Sequence, residues 1–301
     1  MNLAEQLARW GPLSDHPRPS LKEAEAYCRA LATSHYENFS VVNWLFPKHL
    51  HQHLCNVYSY CRWADDLADE AQNPEQATEL LAWWEQQLEH REESCHPVFV
   101  ALNRTIAEKQ IPLEPFRHLL IAFRQDQVQT RYETWDDLLG YCRNSADPVG
   151  QLVLHLGQSA TAENIARSNS VCTGLQLINF CQDVSRDFAK GRIYLPRHER
   201  APFGWNDDRF ALQAASKSPP SQAFRDLLQA QVKRAEDLLR SGESLVQSVH
   251  RDLRLPVRLF INGGLAIARA IRQQRFDVWT SRPVVSKWQK LMLLAKGWFF
   301  T

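Results

Sequence analysis

The chain is predicted to be all-α, because apolar residues recur at helical spacing, capping signals recur along its length, and strand-like alternation is scarce. No linker, solenoid repeat or low-complexity tract interrupts its 301 residues. We therefore expect one domain over residues 1–301, a single helical bundle of about ten helices around a central cavity.

Capping residues and prolines predict where the helices begin and end, in chain order. Ser20 and Glu23 form a capping box that opens a helix to about Thr33, and Pro47 separates an aromatic segment, 36–46, from a long helix. Further starts are predicted at Asn73–Pro74, at Pro112 for a helix to Gln127, at Thr134, and at Thr161 for a helix to Ala189. Residues 190–205 are predicted to form a loop, followed by helices over 221–249 and 255–276.

Two of these helices each carry an Asp-x-x-x-Asp pair, Asp65 with Asp69 and Asp183 with Asp187. Residues four apart lie on one face of a helix, so the two carboxylates of a pair repel each other. The arrangement becomes favourable when divalent cations are shared between the helices. Mg²⁺ binds one or two carboxylates and completes its shell with water and substrate phosphates. Two facing acidic pairs therefore predict a diphosphate site held through metal.

Each pair belongs to a polar stripe on an otherwise apolar helix. The stripes comprise Tyr58, Arg62, Asp65 and Asp69, and Gln176, Asn179, Asp183 and Asp187. A single acidic pair on a helix is more often part of a solvated surface. Buried charges, however, need partners or metal. Two matched stripes on otherwise apolar helices therefore predict that these residues line a polar pocket.

Composition narrows the classes of function. A formal charge of +1 provides no strong field for nucleic acid, and no run approaches the roughly 20 apolar residues of a membrane span. Seven scattered cysteines without Cys-x-x-Cys predict buried, reduced thiols and a cytoplasmic protein. Met1–Pro19 has no signal core. The aromatic segment Trp288–Phe300 is predicted to be a core helix, with peripheral contact at the inner face of the membrane as the alternative.

These stripes and their neighbours resemble the squalene/phytoene synthase family from about Tyr36 to Arg275. The resemblance is carried by residues 57–69, VYSYCRWADDLAD, and 175–187, LQLINFCQDVSRD, continued by 191–196, GRIYLP. It implies the isoprenoid synthase fold, Mg²⁺ as cofactor and an isoprenoid diphosphate as substrate.

Within the family the chain is most similar to the bacterial hydroxysqualene synthases of hopanoid pathways, which convert presqualene diphosphate and water to hydroxysqualene. The stretch 141–150, YCRNSADPVG, stands where most condensing relatives carry a Val-Ala-Gly-like run. Gln182 precedes Asp183 where those relatives usually show Arg. Phe39 and Ser40, ahead of Trp44, also resemble this branch.

The resemblance also implies roles for individual residues. Asp65, Asp69, Asp183 and Asp187 would hold Mg²⁺ with help from Asn179. Substrate contacts are expected from Tyr58, Arg62, Gln176, Arg192, Tyr194, Phe39, Ser40 and Asp126. Tyr141 lines the expected pocket, and we hypothesise that Asp147 in the segment 144–147 positions the water. An ion pair is the alternative for Arg62, and a solvated side chain is the alternative for Arg192.

Four other functions compete with hydration. A head-to-head condensing prenyltransferase would use the same acidic pairs. A reductive squalene synthase would also need NADPH, for which no Gly-x-Gly-x-x-Gly fingerprint is present. A non-catalytic isoprenoid-binding relative need not retain the pairs. A di-iron bundle would need Glu-x-x-His on two helices, and only Glu93 with His96 fits.

Overall fold

The computed structural model describes residues 3–35, 45–216 and 218–285, and these residues form α-helices joined by short loops. Within these ranges there is a single isolated β-bridge, between Arg131 and Ile193, and no β-strand. The predicted all-α class is therefore observed. The sequence motif with Phe39, Ser40 and Trp44, and the aromatic segment 288–300, lie outside the described residues.

The chain divides into two compact units, Met1–Val128 with Gln151–Ala160, and Gln129–Gly150 with Thr161–Thr301. The expectation of one domain over 1–301 stays a prediction. Unit 1 contains α1 (Leu3–Trp10), α2 (Leu21–His35), α3 (Lys48–Asp69), α4 (Pro74–Glu89), α5 (Pro97–Lys109) and α6 (Glu114–Asp126). Helix α8 (Asp147–Leu156) begins in unit 2 and ends in unit 1.

Unit 2 holds the remaining helices. They are α7 (Trp135–Ser145), α9 (Ala162–Gln182), α10 (Val184–Ala189), α11 (Arg197–Arg200), α12 (Asp207–Ser216), α13 (Gln222–Ser241), α14 (Leu245–Ser248) and α15 (Arg251–Gln273), with a 3₁₀ turn at Ala201–Phe203. Across the described ranges no helix is long and apolar enough to cross a membrane.

The predicted helix starts agree with the observed caps. Thr134 and Asp137 form a reciprocal capping box at α7, and the side chains of Asn73 and Thr161 cap α4 and α9. Ser20 and Glu23 exchange hydrogen bonds ahead of α2. These signals are local, so they determine where a helix starts whatever packs against it.

Two predicted helix ends and one predicted loop are wrong. The helix expected to run from Thr161 to Ala189 breaks at Asp183, whose backbone leaves the helical region at φ −104° and ψ 15°. The helix expected over 221–249 ends at Ser241, where α13 gives way to the short α14. The predicted loop 190–205 contains α11 and the 3₁₀ turn. Helix ends depend on tertiary contacts more than starts do, and no Gly or Pro marks Asp183.

Each unit has its own core. In unit 1, Tyr60 and Trp63 of α3 stack on Trp84 of α4, and Phe99 and Phe116 complete the cluster. In unit 2, α9 packs along α13, and a Cβ on Gly174 would meet the backbone oxygen of Ala235 at 3.0 Å. Glycine at this position permits the two helices to approach closely.

All seven cysteines are free in the structure, but the predicted burial is wrong for Cys95, which is exposed. Burial raises the pKa of five of their thiols, those of Cys28, Cys61, Cys142, Cys172 and Cys181, to about 12. These thiols are therefore protonated and unreactive at neutral pH.

Candidate active site

The first polar stripe lies on α3, at the border between the core of unit 1 and solvent. Tyr58, Arg62 and Asp65 are half-buried and Asp69 is exposed, while Trp63 and Leu67 on the opposite face are buried. Because the helix is anchored by that apolar face, the positions of the two carboxylates are set by its rotation.

Arg62 forms ion pairs with two acids of its own helix, Asp65 and Asp66. Its Nε donates to Asp66 Oδ2 at 3.1 Å, its Nη2 donates to Asp66 Oδ1, and its Nη1 lies 3.4 Å from Asp65 Oδ2. The forked contact with Asp66 neutralises an acid to which sequence reasoning gave no role. The i,i+4 spacing of Arg62 and Asp66 would have been sufficient to find it.

The Asp65 carboxyl lies in a strongly acidic environment. Burial raises its pKa to about 6, and the charges of Asp69, Asp66 and Asp126 act in the same direction, against the opposing effect of Arg62. Asp126 is at the end of α6, and Gln127 beside it donates to the Ala68 backbone oxygen at 3.1 Å. The structure thus places Asp126 beside the first acidic pair, where the resemblance implied a contact with substrate.

The second polar stripe runs along the last turns of α9 and into α10. Gln176 and Asp183 are half-buried, Asn179 is exposed, and the backbone N–H of Asp187 donates to the Asp183 backbone oxygen at 2.8 Å. The break at Asp183 therefore leaves the two acids one helical turn apart. Burial raises the pKa of Asp187 to about 7, and the charge of Asp183 adds to that rise.

Arg192 follows a tight turn that leads away from α10. Gly191 adopts a left-handed conformation with φ 77°, which favours glycine, and the backbone N–H of Arg192 donates to the Asp187 oxygen at 2.8 Å. The Arg192 side chain is half-buried, and its charge opposes the rise in the pKa of Asp187. The alternative of a fully solvated side chain is therefore wrong for Arg192.

Asp183 is held by an arginine that sequence reasoning missed. Arg282 Nε donates to Asp183 Oδ1 at 2.6 Å, and Nη2 donates to Oδ2 at 2.8 Å. Arg186 is a second, looser neighbour, with Nε 3.8 Å from Asp183 Oδ1. Arg282 lies 99 positions further along the chain, beyond α15, so no helical spacing could have linked it to Asp183.

An aromatic cluster in unit 2 contains three of the aromatic residues singled out from the sequence. Phe180 and Tyr194 stack with centroids 3.8 Å apart, and Tyr141 lies about 6 Å from both. Tyr132, which sequence reasoning missed, stacks on Tyr194. The bridge between Arg131 and Ile193 brings the segments of Tyr132 and Tyr194 together, and no local signal predicts such a contact.

Asp147 is almost fully buried, with 3% of its surface exposed, and it accepts a hydrogen bond of 2.8 Å from Thr173 Oγ1 on α9. Burial raises the pKa of this carboxyl to about 6, despite the opposing effects of Thr173 and Arg143. Pro148 lies in the first turn of α8, where its missing N–H is tolerated, since α7 ends at Ser145 and α8 begins at Asp147.

Tyr60 of α3 belongs to the core of unit 1. It is fully buried, and its hydroxyl donates to the Phe116 backbone oxygen at 3.2 Å. Glu93 and His96 lie in the loop ahead of α5, and His96 is the N-cap of that helix. This Glu-x-x-His sequence is therefore not on a helix, as a di-iron site would require.

The donor chemistry of both stripes fits Mg²⁺. Each offers two carboxylates with hard oxygen donors, and burial, followed by repulsion from the other acid of the pair, raises the pKa of Asp65 and of Asp187. Within the described ranges, no group of three or more His, Cys, Asp or Glu side chains could hold a metal by itself. Each stripe could supply one or two ligands, and diphosphate and water would have to supply the rest. That the two pairs face each other stays a prediction.

Residues 32–289 match the squalene/phytoene synthase family. The chain is 35% identical over 236 residues to a hydroxysqualene synthase of Rhodopseudomonas palustris, covering 77% of this chain and 78% of that one. It is 30% identical over 292 residues to a 15-cis-phytoene synthase of Synechococcus elongatus, covering 91% and 92%.

A solved structure extends the similarity to the backbone. The crystal structure of a squalene synthase from Alicyclobacillus acidocaldarius superposes with a TM-score of 0.81 at 40% identity, covering 85% of this chain and 96% of that one. The expected all-α isoprenoid synthase fold is thereby confirmed. The chain belongs to the squalene/phytoene synthase family.

Proposed function

We propose that this protein converts presqualene diphosphate and water to hydroxysqualene and diphosphate, in a Mg²⁺-dependent step of squalene and hopanoid biosynthesis. The similarity to hydroxysqualene synthases supports this reaction. The observation that favours hydration over condensation is the buried carboxyl of Asp147, which accepts a hydrogen bond from Thr173. Thr173 lies on α9, three residues before Gln176 of the polar stripe.

The reaction breaks the bond between carbon and the diphosphate oxygen, opens the cyclopropane ring, and forms a new bond between carbon and the water oxygen. When bound, Mg²⁺ would act as a Lewis acid on the leaving diphosphate. Asp65, Asp69, Asp183 and Asp187, with Asn179, are the proposed ligands. Arg62 and Arg192 are the proposed guanidinium partners of phosphate oxygens, and Tyr58 and Tyr194 the proposed hydroxyl donors.

The carbocation has to be protected from early capture. Phe180 and Tyr194 lie close in sequence to the second acidic pair, and the ring of Tyr141 packs near both of theirs. A ring face stabilises a cation by about 1–2 kcal/mol. We propose that Asp147 then orients the water and accepts its proton. Its raised pKa, about 6, suits a carboxylate that must take up a proton near neutral pH.

One reaction series tests the function. The protein is incubated with Mg²⁺ and either presqualene or farnesyl diphosphate, with and without NADPH, and the lipids are identified by mass spectrometry. Hydroxysqualene from presqualene diphosphate without NADPH is expected. Squalene formed only with NADPH would indicate a reductive synthase, and absence of turnover under every condition would indicate a binding protein.

A condensing prenyltransferase is the second candidate, and the similarity to phytoene synthases over nine-tenths of the chain favours it. Such an enzyme would form presqualene diphosphate or a carotenoid precursor from farnesyl or geranylgeranyl diphosphate alone.

The role of Asp147 has its own test. Asp147→Ala is expected to lower the yield of hydroxysqualene and to shift the products toward hydrocarbons formed by proton loss. Thr173→Val removes only the hydroxyl that donates to Asp147 and is expected to have a smaller effect in the same direction. An unchanged yield and product spectrum in Asp147→Ala would eliminate this role.

A further inference from the structure

Gln182 is a buried amide whose two polar atoms both bind the segment that follows α15. Only 4% of its surface is exposed. Its Oε1 accepts from Arg282 Nη2 at 3.0 Å, and its Nε2 donates to the Pro283 backbone oxygen at 2.5 Å. A buried amide left unpaired is unfavourable, so these two contacts favour the position in which the segment lies against the end of α9. We call residues 277–285 the strap.

The base of the strap is fixed independently of Gln182. Val278 is fully buried, and the ring of Trp279 packs among Phe188, Phe210 and Phe224. The Asp277 carboxylate accepts hydrogen bonds from the backbone N–H groups of Trp279 and Thr280 and from the Thr280 hydroxyl. The tip of the strap can therefore detach from Gln182 without loss of its attachment to unit 2.

The tip carries Arg282, which occupies both carboxylate oxygens of Asp183 through a forked pair of hydrogen bonds. Only 12% of the Asp183 side chain is exposed. A divalent cation would need at least one of these oxygens, and it would be repelled by a guanidinium of the same charge sign held against the same carboxylate. Arg282 and a cation therefore compete for Asp183.

We propose that Gln182 is a positioning residue that holds Arg282 on Asp183, so that the strap closes this acidic pair until a divalent cation displaces the guanidinium. This inference rests on the proposed function, in which Asp183 is a Mg²⁺ ligand. Glutamine suits the position because its oxygen accepts from Arg282 while its nitrogen donates to Pro283. Arginine there could not accept the bond and would repel Arg282, and glutamate could accept it but not donate to Pro283.

Metal affinity in the absence of diphosphate tests the competition, with Mn²⁺ as the probe in electron paramagnetic resonance titrations. Arg282→Gln is expected to bind Mn²⁺ about tenfold more tightly than the wild type, a factor typical of coupled binding equilibria. Arg186→Gln is the matched control, because it removes a charge 3.8 Å from Asp183 that makes no contact with Gln182. An Arg282→Gln affinity equal to that of Arg186→Gln, or weaker than that of the wild type, would overturn the proposal.

Hydrogen exchange of the strap amides tests the role of Gln182. In the metal-free protein, exchange over residues 277–285 is expected to be slowest in the wild type and faster in Gln182→Leu and in Gln182→Arg. Gln182→Leu removes both contacts without adding a charge, so it is also expected to bind Mn²⁺ more tightly than the wild type. Addition of Mn²⁺ to the wild type is expected to accelerate the same exchange, a measurement that needs no variant to fold. Exchange that does not respond to Mn²⁺ or to either variant would contradict the proposal.

Asp183→Asn separates the two hypotheses. If this variant binds Mn²⁺ as the wild type does, Asp183 is not a metal ligand and the proposed function loses that residue. If it binds Mn²⁺ more weakly while Arg282→Gln binds no more tightly than the wild type, the metal role stands and only the competition with the strap is wrong.

Discussion

The two acidic helices balance their charges in different ways. On α3, Arg62 lies one turn before Asp66 and pairs with it, so this ion pair forms within one helix. At the end of α9, Asp183 pairs with Arg282, 99 positions away along the chain. The first arrangement is a property of helical spacing, and the second exists only after α15 and the strap have packed. Identical Asp-x-x-x-Asp motifs therefore do not imply identical surroundings.

The largest effect should come from removing one carboxylate of each pair. Asp65→Asn and Asp183→Asn are each expected to lower turnover of presqualene diphosphate by about a thousandfold, because each removes stabilisation of the leaving group. Steady-state kinetics with Mg²⁺ measure the effect, and Asp226→Asn, at an exposed position on α13, is the control. A loss below tenfold in one variant alone would show that only the other pair acts on the diphosphate.

The next largest effect is expected at low pH, where protonation of His96 in the core of unit 1 should lower the free energy of unfolding. Burial lowers the pKa of His96 to about 3, from 6.5 in the unfolded chain. The unfolded state then binds more protons below pH 6.5, so stability is complete above that pH and falls as pH decreases toward 3, by up to about 1.4 kcal/mol per pH unit.

His96→Asn keeps an N-cap acceptor for α5 and removes this titration, so its free energy of unfolding should depend less on pH between 4 and 6.5. Urea unfolding followed by tryptophan fluorescence at several pH values measures the slope. Equal slopes in variant and wild type would show that His96 is not the responsible group.

Asp147 in unit 2 is expected to have a smaller effect with the opposite pH dependence, in which the free energy of unfolding decreases as pH rises. Its folded-state pKa is raised from 3.8 to about 6, so its contribution is complete below about pH 4 and is lost as pH rises through 6. Asp147→Asn should therefore be more stable than the wild type at pH 8 by about 1–2 kcal/mol, and similar to it at pH 4. Thermal unfolding at the two pH values tests this, and a variant less stable at both would contradict it.

The smallest effect concerns the ion pair on α3. Arg62→Gln is expected to lower the free energy of unfolding by about 1 kcal/mol or less, because the pair is partly solvated. A double-mutant cycle with Asp66→Asn isolates the interaction, and the exposed pair of Arg104 with Glu108 is the control with coupling near zero. Equal coupling in both cycles would show that the α3 pair is an ordinary surface contact.

Local signals explain which parts of the fold were predictable. The starts of α2, α4, α7 and α9 follow from side chains that bond backbone groups two or three residues away. The break at Asp183 has no such signal, whereas the end of α13 at Ser241 has one that the prediction did not use, the C-cap glycine Gly242. Within the candidate site, the stripes of α3 and α9 followed from periodicity. The contact of Arg282 with Asp183 and that of Tyr132 with Tyr194 depend on loops that bring distant segments together.

The sequence by itself determined the all-α class, the helices that carry the acidic pairs, and the family to which the chain belongs, because residues within a few positions of each other decide helical periodicity, capping and motif spacing. The tertiary structure decided which charged side chains lie next to the carboxylates of those pairs. Pairing Arg282 with Asp183, or placing Asp126 beside Asp65, requires distant segments to meet, and burial then changes the pKa of each group by an amount that no spacing along the chain encodes.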